Sequence, residues 1–224
     1  MNTVAEQKSR PGVFLGQKPL GKIVSFILIA SSGNVAIIGA TLVLIWRKIV
    51  KVPFRNLGLY APKSWLKTIV LGVLLGIFIK LLFATIIMPL MGSVPSSSST
   101  FSFLKGNLTN ALLFSVYVLV VAGFAEEIIF RGYLFHQLED WFGNGKLQMV
   151  LTVVVSSLIF GIPHLYQGGF GVIQSILVGM IYGAVYLANK KNLWLVMIAH
   201  ATFDWVAIYI IYMDWSIKVN TFFF

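Results

Sequence analysis

Cysteine is absent from this chain and acidic residues are scarce, with seven Asp and Glu among 224 residues and 11% of residues charged. The first absence excludes disulfides, a thiolate nucleophile and thiolate-bound zinc. The second excludes an ordinary soluble domain, in which about 25% of residues are charged. No HExxH pattern occurs, so the helical zinc-peptidase arrangement has no support. Internal repeats and heptads are also missing, which removes solenoids and coiled coils. Apolar residues fill the chain instead, at 58% hydrophobic with a mean hydropathy of +0.89. Apolar stretches of such length read as membrane spans.

The net charge of +10 does not form one basic run, so nucleic acid is not an expected partner and a lipid bilayer is. Apolar segments fall at 23–46, 68–91, 107–130, 147–165, 170–188 and 193–213. They predict an all-α polytopic bundle of about six to eight transmembrane helices, a multi-pass protein of the cell membrane. Residues 1–22 are a basic lead-in, and the run that follows is too long for a signal-peptide core, so it reads as a retained anchor. The organisation expected is a set of N-terminal membrane segments with a basic loop over 1–106, a core over 107–213 and a short aromatic tail over 214–224. Lys80, inside the second run, is expected to pack or to snorkel, with lining a cavity as the alternative. Tyr60 and Trp65 suit an interfacial belt. Residues 131–146 read as an amphipathic connector in which His136 is interfacial. Gly179 and Gly183 stand at the spacing that lets helices approach closely.

Lys and Arg number six in the loop 47–67 and two in the turn 189–192, against one in 92–106 and none in 166–169. Together with the connector 131–146, the two basic segments are therefore expected in the cytoplasm. The four basic residues of the first 22 run against this orientation if a single span follows them.

Three polar stations interrupt the apolar chain. Glu126 and Glu127 follow eighteen uncharged residues, Leu108 to Ala125, where a carboxylate is costly and marks a functional site by default. Arg131 stands four residues after Glu127, on the same helix face. His164 follows Pro163 and lies four residues beyond Phe160. His200 and Asp204 share a face of the last run. Burying such groups separately is expensive, so their convergence is expected. A straight-helix reading sets His164 at a different depth from the glutamates, and convergence then requires bends near Pro163 and Gly132. Chemically, a carboxylate can take a proton from water and return it to a leaving amine, while a histidine orients the water or stabilises an oxyanion. Two histidines and a carboxylate can also hold zinc, the lesser expectation.

EEIIFR (Glu126, Glu127, Arg131), FGIPH (Phe160, His164) and HATFD (His200, Asp204) resemble, in order, the motifs EExxxR, FxxxH and HxxxN or HxxxD. These belong to the CAAX-protease and bacteriocin-processing (Abi) family of intramembrane glutamic endopeptidases, and the resemblance covers about 107–212. It implies a helical membrane core with a polar cavity open to the cytoplasm. It implies that Glu126 activates water, that Glu127 and Arg131 help hold it, and that His164 shares in the activation. His200 and Asp204 would form the oxyanion site, with Phe160 at the substrate; an ionised Asp204 is a poor donor for that task. No cofactor is implied. The implied substrate is a peptide or membrane protein, prenylated or bacteriocin-like, and the implied setting bacteriocin maturation or self-immunity. Two other functions stay open: a non-catalytic immunity or binding protein, and a small proton-coupled transporter.

Overall fold

The computed structural model describes residues 32–49, 51–92 and 99–215. The basic lead-in, the first part of the run 23–46, most of the serine-rich loop and the end of the aromatic tail lie outside the described residues. Among the described residues six longer helices follow one another: α1 Ser32–Ile49, α2 Trp65–Leu90, α3 Leu108–Phe142, α4 Lys146–Gly161, α5 Gly168–Ala188 and α6 Leu193–Tyr212. Among the described residues there is no strand. Among the described residues four helical stretches are long and apolar enough to cross a membrane: α2, α3, Lys146–Ala188 and α6. The protein is an all-α integral membrane bundle.

Polar residues set where the helices begin. Ser64 Oγ accepts from the Lys67 amide at 3.3 Å, which starts α2 three residues before the apolar run proper. Asn107 Oδ1 caps α3 through the Asn110 amide at 3.0 Å, and Asn192 Oδ1 caps α6 through the Trp194 amide at 3.1 Å. The expected connector 131–146 is largely helix. α3 continues through Arg131 to Phe142 and stops at Gly143, whose φ of +95° suits glycine. The reason is that Arg131 meets Glu127 inside the protein and does not mark an exit to water.

Small residues let the helices close. A side chain at Gly76 would run into the Ala199 carbonyl and the Thr202 side chain, so α2 and α6 touch through backbone. Gly179 and Gly183 face Ser157 and Val153, so α4 and α5 form an antiparallel hairpin, as their spacing implied. Residues 162–167, the Ile162–Gln167 3-10 turn, close that hairpin.

The bundle has two chemically distinct ends. At one, the 3-10 turn Phe54–Leu57 buries Leu57 completely and meets the turn 189–192. Asn192 Nδ2 donates to the Tyr60 carbonyl at 2.7 Å, Tyr60 Oη donates to the Lys190 carbonyl at 2.8 Å, and the Leu193 amide donates to the Gly58 carbonyl at 3.0 Å. Lys191 pairs with Glu139 of α3 at 2.7 Å. This is the lysine- and arginine-rich end. At the other, the 3-10 turn Ser99–Leu104 leads into Gly106, whose amide donates to the Tyr212 carbonyl at 3.0 Å.

Candidate functional site

The site forms where α3 departs from regular α-helix. Leu119–Glu126 and Ile128–Leu134 are π-wound, an arrangement usually confined to single turns and frequent at functional sites. The wider turn is supported by close packing on both sides: Gly123 lies against Ala201 and the Met197 carbonyl of α6, and Gly132 lies against the Leu57 carbonyl. The chain thereby turns two consecutive glutamates to different surroundings.

Glu127 is 0% exposed and Arg131 is 1% exposed. Arg131 Nη1 donates to Glu127 Oε1 at 2.9 Å, and Nη2 donates to the Gly179 carbonyl at 3.3 Å. The guanidinium also lies 4.6 Å from the Phe160 ring and 5.8 Å from the Tyr182 ring. The second partner of the same carboxylate oxygen is His200, whose Nδ1 stands 2.8 Å away. A carboxylate accepts, so Nδ1–H is the donor and Nε2 is the nitrogen turned toward the next layer. Tyr182 holds the ring from the other side at 5.4 Å and donates its hydroxyl to the Ala199 carbonyl at 3.1 Å.

Glu126 is different. Its side chain is 15% exposed, its Oε2 lies 4.0 Å from His200 Nε2, and that oxygen has no hydrogen-bond partner. Asp204 Oδ2 stands 3.9 Å from the same Nε2. Glu126, His164, His200 and Asp204 all line one cavity of about 510 Å³. With Phe160, five of the seven sequence-derived site residues therefore line one space, and Glu127 and Arg131 are not among its lining. The 3-10 turn after Gly161 is the bend that brings His164 to the cavity, with its Nδ1 2.9 Å from the Phe160 carbonyl. Among the described residues no group of three His, Asp or Glu side chains is placed to hold a metal ion.

Phe160, expected at the substrate, borders the cavity but is only 2% exposed. Its ring is covered by Phe130 at 4.9 Å, His164 at 4.9 Å and Arg131, so it packs the polar groups into place. Lys80 takes the alternative over packing or snorkelling: it lines the cavity, with its ammonium 4.7 Å from the Phe203 ring. The glycine contact of α2 with α6 draws the lysine inward, toward the turn that carries Asp204. Gln174, Ser175, Tyr117 and Tyr166 also line the cavity and were not singled out from sequence. Gln174 offered a signal, as a lone amide within an apolar helix. His136 is not among the cavity residues.

Residues 107–206 match the family model of type II CAAX prenyl endopeptidases, Rce1-like. An uncharacterised protein of Mycoplasma capricolum subsp. capricolum is 27% identical over 108 residues, covering 48% of this chain and 30% of that relative. The chain thus spans less than a third of the relative's length. No solved structure matches the chain.

Proposed function

We propose, from the premise that residues 107–206 belong to the CAAX prenyl endopeptidase family, that this protein is an intramembrane endopeptidase in which Glu126 activates water. The observation that carries the reading is the division between the adjacent glutamates. Glu127 holds both Arg131 and His200 through its Oε1, whereas Glu126 makes neither contact and lines a cavity shared with two histidines and Asp204.

In this reading the water lies in the cavity against the Glu126 carboxylate, with His200 Nε2 4.0 Å from Glu126 Oε2. Glu126 takes a proton from this water as its oxygen attacks the scissile carbonyl carbon, and the carbonyl pair moves onto oxygen. Collapse of the tetrahedral intermediate breaks the C–N bond, and Glu126 returns the proton to the leaving nitrogen, giving a carboxylate and an amine. His164 and the Lys80 ammonium face the oxyanion, and His200 orients the water. Glu127 and Arg131 are positioning residues that hold the imidazole. The substrate class is a peptide or membrane-protein segment, prenylated or bacteriocin-like, cut at the cell membrane in bacteriocin maturation or self-immunity. The mechanism uses no metal.

The test is cleavage of a prenylated CAAX peptide, its unprenylated form and a panel of apolar membrane peptides by purified protein, with and without a chelator. Cleavage that survives the chelator supports the reading. Chelator-sensitive cleavage overturns the metal-free mechanism, and a folded protein that cleaves none of the panel counts against peptidase activity.

A further inference from the structure

Both imidazoles of the cavity have one nitrogen engaged by a protein acceptor. His200 Nδ1 stands 2.8 Å from Glu127 Oε1, and His164 Nδ1 stands 2.9 Å from the Phe160 carbonyl oxygen. A carboxylate and a carbonyl only accept, so each neutral ring carries its proton on Nδ1 and an unshared pair on Nε2. His200 turns that Nε2 toward two carboxylates, with Glu126 Oε2 at 4.0 Å and Asp204 Oδ2 at 3.9 Å. The cavity is therefore rich in acceptors. Acceptors suit the capture of a proton from water. They do not suit the next moment of the reaction, when the attacked carbonyl oxygen becomes an anion and needs donors aimed at it. His164 can donate to that anion only as an imidazolium, and an ionised Asp204 cannot donate at all.

The turn that carries His164 also carries a donor of another kind. Tyr166 stands two residues further along the Ile162–Gln167 3-10 turn, and both residues line the cavity. Their rings stack, with centroids 6.3 Å apart and planes 24° from parallel. The phenol oxygen accepts from Gln167 Nε2 at 2.7 Å, and Gln167 lines the same cavity. That bond occupies a lone pair of the oxygen and does not use its proton, which is directed to a different acceptor. An oxygen that accepts one hydrogen bond donates a stronger one, because each bond in a chain polarises the next.

We propose that Tyr166 is a further catalytic residue of this site, the uncharged donor whose hydroxyl binds the oxyanion of the tetrahedral intermediate, and that Gln167 positions and polarises it. The proposal rests on the peptidase reading. As the water oxygen attacks the carbonyl carbon, the C=O π pair moves onto oxygen and the Tyr166 O–H donates a hydrogen bond to it. The phenol keeps its proton throughout. On collapse the pair returns to rebuild the carbonyl as the C–N bond breaks. Tyr166 fills the role for which an ionised Asp204 is poorly suited. The Lys80 ammonium brings charge to the same cavity from α2, and Tyr166 brings a directed donor from the 162–167 turn.

The test compares Tyr166→Phe with the parent. This variant keeps the ring on His164 and removes the hydroxyl alone, so its melting point in detergent is expected to match the parent. One readout is steady-state cleavage of the peptide panel. The other is binding of two uncleavable versions of each panel peptide: a phosphinate, which puts a tetrahedral anionic group at the scissile position, and a ketomethylene, which is neutral there. The expected result is a fall in kcat of about 10²–10³-fold, the contribution of one oxyanion donor, with KM unchanged. Phosphinate binding weakens in the same sense, and ketomethylene binding does not change. Gln167→Leu lowers kcat and phosphinate affinity too, by less. A Tyr166→Phe protein that cleaves at the parental rate, or that holds the phosphinate as the parent does, overturns the proposal and leaves the peptidase reading standing. Equal losses for phosphinate and ketomethylene make Tyr166 a substrate-binding residue and also overturn it. A Gln167→Leu protein with parental kcat and affinity overturns the polarising role. If the folded parent cleaves nothing, the peptidase reading falls and binding alone decides the donor. A parent that holds the phosphinate no more tightly than the ketomethylene then overturns the donor role as well.

Discussion

Replacing Glu127 by glutamine perturbs stability, and the same change at Glu126 does not. The Glu127 carboxylate is the counter-charge of a fully buried guanidinium, with Arg131 Nη1 at 2.9 Å and His200 Nδ1 at 2.8 Å on a single oxygen. Removing one charge from such a pair leaves the other uncompensated, at about 3–5 kcal/mol. The Arg131 contacts to Phe160 and Tyr182 persist, so they offset none of the loss. At about 2–4 °C per kcal/mol for a chain of this size, the midpoint of unfolding in detergent falls by roughly 6–20 °C. Glu126 Oε2 has no partner to lose, and Glu126→Gln is expected within about 1 kcal/mol of the parent, as for substitutions outside the strongly destabilising classes. Thermal unfolding followed by size-exclusion chromatography separates the two. A Glu127→Gln protein that melts with the parent, or a Glu126→Gln protein that melts as early as Glu127→Gln, refutes the division of labour between the two residues.

Gly76→Leu forces a side chain against the Ala199 carbonyl and Thr202; the α2–α6 contact opens, and folded monomer is lost from detergent extracts at a cost of about 3 kcal/mol or more. Asn192→Ala removes both the cap of α6 and the donor to the Tyr60 carbonyl, lowering stability by about 1–2 kcal/mol in the same melting assay. Lys80→Met removes the ammonium facing the cavity; kcat falls by about tenfold or more while the melting point holds, and unchanged kcat removes Lys80 from the oxyanion role. Asp204→Asn trades an acceptor for an amide donor near His200 Nε2, and kcat is retained or raised; a loss comparable to Glu126→Gln would make the Asp204 carboxylate essential.

Much of the site is legible in the sequence, for reasons that can be named. Glu127 and Arg131 meet because residues four apart share a helix face, and they do so even where α3 is π-wound. The convergence of the histidines with the glutamates follows from the cost of burying each alone. Other features depend on contacts between distant parts of the chain. The span 107–130 ends at a charge in the sequence, yet α3 runs to Phe142, because burial of Arg131 depends on partners from α4 and α5 as well as Glu127. Lys80 carries no local sign of its surroundings, since the Phe203 ring reaches it from α6. Phe160 reads as a motif residue near substrate, but Phe130 and Arg131 cover it from α3. Leu57 sits in a basic loop by composition, and becomes core because Asn192 and Leu193 dock that loop onto the 189–192 turn.

The central claim is that Glu126 activates the hydrolytic water, and its most direct test is the single-turnover rate of peptide cleavage by Glu126→Gln against the parent, at equal amounts of folded protein. The account predicts a fall of at least about 10²–10⁴-fold, the contribution of a general base, with substrate binding and melting temperature unchanged. A Glu126→Gln protein that cleaves at the parental rate contradicts it.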